Sequence, residues 1–367
     1  MTLAGRQGAG RAGGAVVTQH GDPPPGTWLL RRGRDGRFSV LVPRRAAIAG
    51  LCVLAACLIL GFLSLGWGAA SFGYGDVIDV LAGRGRKFAE LVVMQWRMPR
   101  IVLAIAVGAA LGCAGAIFQA VTRNPLGSPD LIGFTMGAQT GILFAVLIAG
   151  TSLAATSAAA LIGGLLAGAV IYALSSRGGF GGLRLILAGI AVSAMLGSLN
   201  RWMLVHAPVD DAHGAQRAIT GSLTGADWAT AMPVSVLIIA ALIAVAARSR
   251  DLRGLDLGPD LATTLGLRVG AARAVLILLG IILVALATTA AGPITFVALI
   301  APHIARGITR SATTPLPVAA GVGALLLLAA DVAGTALLDG LPVGLVTASL
   351  GGVYFMALLI TEARRTP

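Results

Sequence analysis

Residues 101–120 read IVLAIAVGAALGCAGAIFQA, 20 consecutive positions without a charged side chain. At about 1.5 Å of rise per residue, a helix of that length covers about 30 Å, the thickness of a bilayer's hydrocarbon core. Such runs recur outward in both directions. They lie at roughly 46–67, 98–120, 131–150, 154–175, 184–205, 231–247, 272–291, 293–309, 316–338 and 343–361, which predicts an all-α, polytopic membrane protein of about ten spans. The runs at 231–247 and 293–309 are the shortest. The whole chain agrees: 57% of its 367 residues are hydrophobic and 11% are charged. A soluble domain has about a quarter of its residues charged, so these few could not coat a water-exposed surface. With 51 glycines and few aromatic residues, the helices are expected to pack closely in a compact bundle.

The charge balance, +12 from 27 basic and 15 acidic residues, does not describe a nucleic-acid patch, because the arginines sit between the apolar runs. Residues 1–45, with eight arginines and two aspartates, read as a disordered basic tail on the cytoplasmic side. Residues 46–365 form the membrane domain. With the N-terminus inside, 20 basic residues fall on the inner side and 7 on the outer, the bias expected of a cytoplasmic face. Ten spans then return the C-terminus to the same side. Cys52, Cys57 and Cys113 lie inside apolar runs, and neither they nor the four histidines show metal-ligand spacing, so no metal site is expected.

Two segments interrupt the pattern. Arg123-Asn124-Pro125-Leu126-Gly127-Ser128-Pro129-Asp130 carries two prolines that forbid a continuous helix. Ala291-Gly292-Pro293 breaks the chain again, with Pro302 nine residues on. Irregular backbone at membrane depth persists where protein buries it or water lines it, and transporters place it along substrate paths. Asn124, Pro125 and Pro293 are therefore candidate path or gate residues. Gln119, Gln139 and Asn200 are polar side chains inside spans and join them. Asp331, an ionisable group within 316–338, is read first as a helix–helix contact; a path residue or a proton site are the alternatives.

No phosphate-binding Gly-rich loop with its lysine is present: the sole lysine, Lys87, sits in Gly85-Arg86-Lys87-Phe88 on the outer side. Energy for transport must come from another chain or an ion gradient. A docking point for another chain is legible in the inner loop 248–273. Leu257, Leu261 and Leu265 recur every four residues and stack on one helix face. Gly258-Pro259 opens the stretch, Asp256 and Asp260 lie near its positive N-terminal end, and Gly266 can cap its C-terminus. Ala262 lies within the same short helix. On the outer side Arg97 and Arg100 are three apart, so they share a helix face and run against the inside bias. They read as a cation pair for carboxylates on an outside partner, or as interfacial anchors beside Trp96. Gly73-Tyr74-Gly75-Asp76 matches a Gly-x-Gly-Asp protease pattern, but a second membrane-embedded aspartate motif is missing.

Taken in order, Arg97–Arg100, Gly115–Gln119, Arg123–Asp130, Ala291–Arg306, Leu341–Gly344 and Ser349–Gly352 resemble the permease subunits of the iron-siderophore and vitamin B12 ABC importers. The resemblance spans about residues 46–365. Residues 127–134 and 351–355 look most like the ferric enterobactin branch. It implies a type II importer fold in a bacterial cell membrane, with two permeases around a central path. The second would be a paralogue rather than a second copy. Two ATP-binding cassette subunits would sit inside and a siderophore-binding protein outside. ATP and magnesium would bind the cassette subunits, leaving this chain without a cofactor and not an enzyme by itself. The resemblance assigns Arg97 and Arg100 to docking of the binding protein. It matches Leu257–Leu267 to the coupling helix, with Gly258-Pro259-Asp260 replacing a glutamate-rich opening. Thr335 stands where some relatives carry a further arginine. The implied cargo is a ferric siderophore of catecholate type, with vitamin B12 or haem as alternatives in the same role. A proton-coupled secondary transporter using Asp331 is the rival class.

Overall fold

The computed structural model describes residues 27–32, 38–68, 72–149, 153–176, 182–208, 212, 214–216, 219–311 and 313–363. Two strands, β1 (Thr27–Arg32) and β2 (Phe38–Pro43), pair antiparallel with Trp28 opposite Val42 and Leu30 opposite Val40. This corrects the expectation of an unstructured segment over 27–43; residues 1–26 lie outside the described ones. The physical reason is local. Trp, Phe, Val and Thr favour strands, and the intervening Gly33-Arg34-Asp35-Gly36 has turn composition.

Helix α1 (Arg44–Gly66) follows β2 directly, and α2 (Tyr74–Leu81) is short. Helix α3 runs unbroken over Lys87–Thr122, with a π-helical stretch at Leu91–Arg97. The chain continues through α4 (Pro129–Ile132) and α5 (Phe134–Phe144), the latter running into a π-helical turn at Ala145–Ala149. Then come α6 (Leu153–Ser176), α7 (Gly182–His206) and α8 (Trp228–Ala247). Two short helices, α9 (Ser249–Asp256) and α10 (Pro259–Thr264), precede α11 (Val269–Ala291). Helices α12 (Val297–Thr309), α13 (Leu316–Ala336) and α14 (Val343–Ala363) complete the chain. Among the described residues, seven helices are long and apolar enough to cross a membrane: α1, α3, α6, α7, α8, α11 and α13. Shorter apolar helices at Phe134–Leu147, Val297–Thr309 and Val343–Ala357 occupy the three remaining runs.

Burial ranks these helices. In α3, 78% of the most apolar window is inside the bundle, against 22% in α1. Helix α3 is therefore the central post, packed by α13, α11, α12 and α8, while α1 lies at the rim against α13. Lipid is as apolar as leucine, so close van der Waals contact, not apolar burial alone, must hold such a bundle. Glycine supplies that contact. A Cβ on Gly108 would strike the backbone of Gly323 in α13, and one on Gly323 would strike Gly108. A Cβ on Gly115 would overlap the carbonyl of Ala298 in α12. Gly115→Ala is thus expected to lower stability by about 1–3 kcal/mol, as overpacking does. The melting temperature of the purified complex checks this, with Gly307→Ala, where nothing lies within 4 Å of the added Cβ, as the neutral control.

Candidate functional site

The two backbone breaks meet. Arg123 ends α3 at φ 52°, and its N–H donates to Ala120 O. Asn124 then folds the chain back: its Oδ1 accepts from Leu126 N at 2.8 Å, and its carbonyl accepts from Gly127 N. Six residues after Asn124, Asp130 reaches both neighbours. Oδ1 accepts from Thr135 Oγ1 at 2.8 Å, and Oδ2 accepts from the backbone N–H of Phe296 at 3.2 Å. Phe296 is the N-cap of α12 and holds φ 67°, ψ −24°. That region is costly for a large side chain and persists only where the surroundings impose it. Here Asp130 holds the N–H, and Gly351 of α14 lies flush against the ring's base, leaving no room for a Cβ.

A third irregular segment completes the junction. Ser222 N donates to Ala291 O at 2.7 Å, and Gly344 N donates to Gly221 O at 2.8 Å. Gly221 also lies against the Pro293 carbonyl so closely that a side chain would not fit. The freed backbone groups around 291–296 and 341–344 are thus partly satisfied by other irregular backbone, as they must be away from water. Helix α12 has 13 residues, about 20 Å, whereas α11 has 23, about 35 Å.

Below this junction a polar chain connects α3 and α12. Gln119 is buried; its Nε2 donates to Leu299 O at 3.0 Å, and its Oε1 accepts from Arg306 Nη2 at 2.8 Å. The Arg306 charge in turn acts on Asp256, the last residue of α9, without a direct ion pair between them among the described residues. Burial pushes the Asp256 carboxyl up from its ordinary range, and Arg306 pulls it partly back.

The short helix expected to follow Gly258-Pro259 is α10, and Leu257, expected on its face, lies before it. Helix α9 stops at Asp256, Gly258 turns the chain at φ 97°, and α10 starts with Pro259 at its first position. Arg123, from the end of α3, lies beside Gly258. Gly266 ends the unit at φ 81°, the left-handed conformation expected of a C-terminal glycine. Ala262 is fully buried, and Leu267 packs against Gly254. Leu257, Leu261 and Leu265, by contrast, are 53%, 58% and 72% exposed. Asp260 is exposed beside them. Three leucines pointing away from their own bundle form an apolar knob on a polar loop.

In the first half of α3, Arg100 donates through Nε and Nη2 to the two Asp331 oxygens, at 2.8 and 2.7 Å. The pair ties α3 to α13 in a bidentate fork. Asp331 is thereby the helix contact that the sequence favoured, and its partner is one of the two outward cations. The expectation that Arg100 awaits a carboxylate from outside is corrected to this extent: its fork already holds one within the chain. Arg97 is also engaged, donating to Leu65 O at the end of α1, with its guanidinium 5.5 Å from the Phe72 ring centre. The π-helical stretch explains a further contact. Such a turn frees a carbonyl from the regular ladder, and Met94 O accepts from Trp228 Nε1 at 2.7 Å.

The remaining candidates scatter. Asn200 is buried on α7, its Oδ1 accepting from Thr140 Oγ1 of α5 at 2.7 Å. Gln139, one residue before Thr140, is half-buried, and Pro125 is exposed. Pro293 alone of these lies at the junction of the breaks. The sequence reading did not single out Asp130, Phe296, Gly221 or Arg306 as site residues. The signal for Asp130 was present, an acid closing a proline-rich break.

A helical membrane bundle with a junction of broken segments and an exposed apolar knob defines a transport permease. Residues 56–361 match the FecCD transport family, and the chain belongs to that family. It is 43% identical over 328 residues to the ferric enterobactin transport system permease protein FepG of Escherichia coli (strain K12), covering 89% of this chain and 99% of that one. It is 34% identical to the Fe(3+) dicitrate transport system permease protein FecD of the same organism, over 86% of this chain and 96% of that one. Among solved structures, an inward-facing ABC transporter of the metal-chelate type superposes with a TM-score of 0.75 at 26% identity, covering 86% of this chain.

Proposed function

We propose that this chain is the permease subunit of an ATP-driven importer that carries a ferric siderophore of catecholate type across a bacterial cell membrane. The observation that carries the reading is the knob: three exposed leucines on a capped polar loop, in a chain without a phosphate-binding lysine of its own. Two ATP-binding cassette subunits, which hold ATP and magnesium, dock there. Their motion passes through Asp256, Arg306 and Gln119 to α3 and α12, and tilts the segments held by Asp130 and Phe296. Asn124, Pro125 and Pro293 flex in that movement. The likeness to FepG supports the catecholate cargo and a paralogous second permease. Both termini are cytoplasmic on this reading, in keeping with the basic-residue count.

On the outer side, a siderophore-binding protein docks its carboxylates at Arg97, with Arg100 contributing from within its pair with Asp331. Arg97→Glu is expected to weaken that docking at least about tenfold, the effect of placing like charges in contact. Membrane insertion stays intact. Unchanged affinity and salt dependence in a binding assay would remove Arg97 from this role.

Vesicles reconstituted with the cassette subunits and the binding protein test the whole reading. Uptake of a ferric catecholate should stop without ATP and continue when the proton gradient is collapsed. Uptake that ceases on loss of the gradient alone would instead identify a proton-coupled carrier.

A further inference from the structure

A groove of about 560 Å³ opens where α1, α12 and α13 meet at one face of the bundle. Its walls are apolar, with Ile48 and Cys52 from α1, Ile308 from α12 and Leu325 from α13. Its lining includes two cations and no carboxylate: Arg45 in the first turn of α1 and Arg310 at the end of α12. Both arginines are exposed, and neither makes a hydrogen bond or ion pair among the described residues. Helices α1 and α13 both begin at this face. Helix α12 ends there, so the helix-end potentials partly offset and the two guanidiniums supply the positive charge of the mouth. Helix α1 has only 22% of its most apolar window inside the bundle, so the groove lies on the outer surface of this chain.

An apolar slot with a cationic mouth at the edge of the hydrocarbon has a specific chemical complement. A phosphodiester bearing net negative charge satisfies both guanidiniums, and a hydrocarbon tail fills the slot beneath. A zwitterionic headgroup brings its own cation to the same mouth and loses that advantage. Free phosphate has nothing to place in the slot. Arg45 and Arg310 both belong to the inner side in the basic-residue count, where anionic lipid attracts such residues. We propose that this groove is a binding site for one anionic phospholipid, its phosphate held between Arg45 and Arg310 and one acyl chain lying along α1 and α13.

Native mass spectrometry of the intact importer complex tests this, using phosphatidylglycerol and phosphatidylcholine with matched chains as probes. Phosphatidylglycerol should be retained in preference. Arg45→Gln with Arg310→Gln should weaken its retention about 30-fold, as expected for two charges near the surface, while phosphatidylcholine retention stays unchanged. Cys52→Trp leaves both arginines in place and fills the slot from an exposed position, so it should also reduce retention. Millimolar inorganic phosphate should not displace the lipid. Equal retention of the two lipids would overturn the proposal. So would an unaffected double-glutamine variant, an unaffected Cys52→Trp, or displacement by phosphate.

Discussion

Leu261→Asp is expected to abolish coupled uptake while the permease still folds and inserts. The side chain is 58% exposed on α10, so the substitution removes little internal packing. On the proposed docked surface it would bury an unpaired carboxylate where an apolar anchor belongs. Central anchors of this kind cost about 2 kcal/mol or more when lost, about 30-fold in affinity. The expected result is loss of copurifying cassette subunits and at least a tenfold fall in ATP-driven uptake. Leu261→Met keeps volume and apolarity and should behave nearly as the parent. Normal copurification with full uptake in the aspartate variant would remove the knob from coupling, and with it the main support for a borrowed motor.

The second large effect lies in the first half of α3. Arg100→Leu leaves Asp331, which is 5% exposed, as an uncompensated charge inside the bundle. Breaking such a pair from one side costs about 3–5 kcal/mol. Asp331→Leu strands the guanidinium in the same way, less severely because the Arg100 side chain is 21% exposed. Replacing both residues by leucine removes the two desolvation costs together. The double variant is expected to recover most of the lost melting temperature, giving a large coupling energy in the double-mutant cycle. With stability restored, weakened docking of the binding protein should be the remaining defect. Docking restored along with stability would confine Arg100 to holding α3 against α13. Loss of ATP-driven uptake in a stable double variant that still docks would return Asp331 to the substrate or proton path.

The knob was legible from residue order alone, because its signals are local: leucines at four-residue spacing, proline at the first helical position, glycine at the end. Even so, Leu257 lies outside that helix, across Gly258, whose φ of 97° no right-handed helix contains. The cation pair was only half legible. Arg97 and Arg100 stood out against the charge bias, and Asp331 stood out in its apolar run, yet nothing in either segment connects them. They are joined across 231 positions by the packing of α3 on α13, which Gly108 and Gly323 permit.

The same division runs through the rest of the molecule. Residue order by itself determined the membrane body, the ten apolar helices, the two backbone breaks and the lack of a nucleotide loop. Each is a property of composition or of a short window, and the cost of exposing peptide groups to lipid leaves helices as the local solution. Tertiary structure decided that the breaks face each other through Asp130 and Phe296. It also decided that Gln119 is a strut to Arg306, lodged in the protein between α3 and α12, and that α1 leaves a cationic groove at the rim. Those are contacts between distant segments, chosen by which helix faces fit at backbone distance, and no local pattern carries that choice.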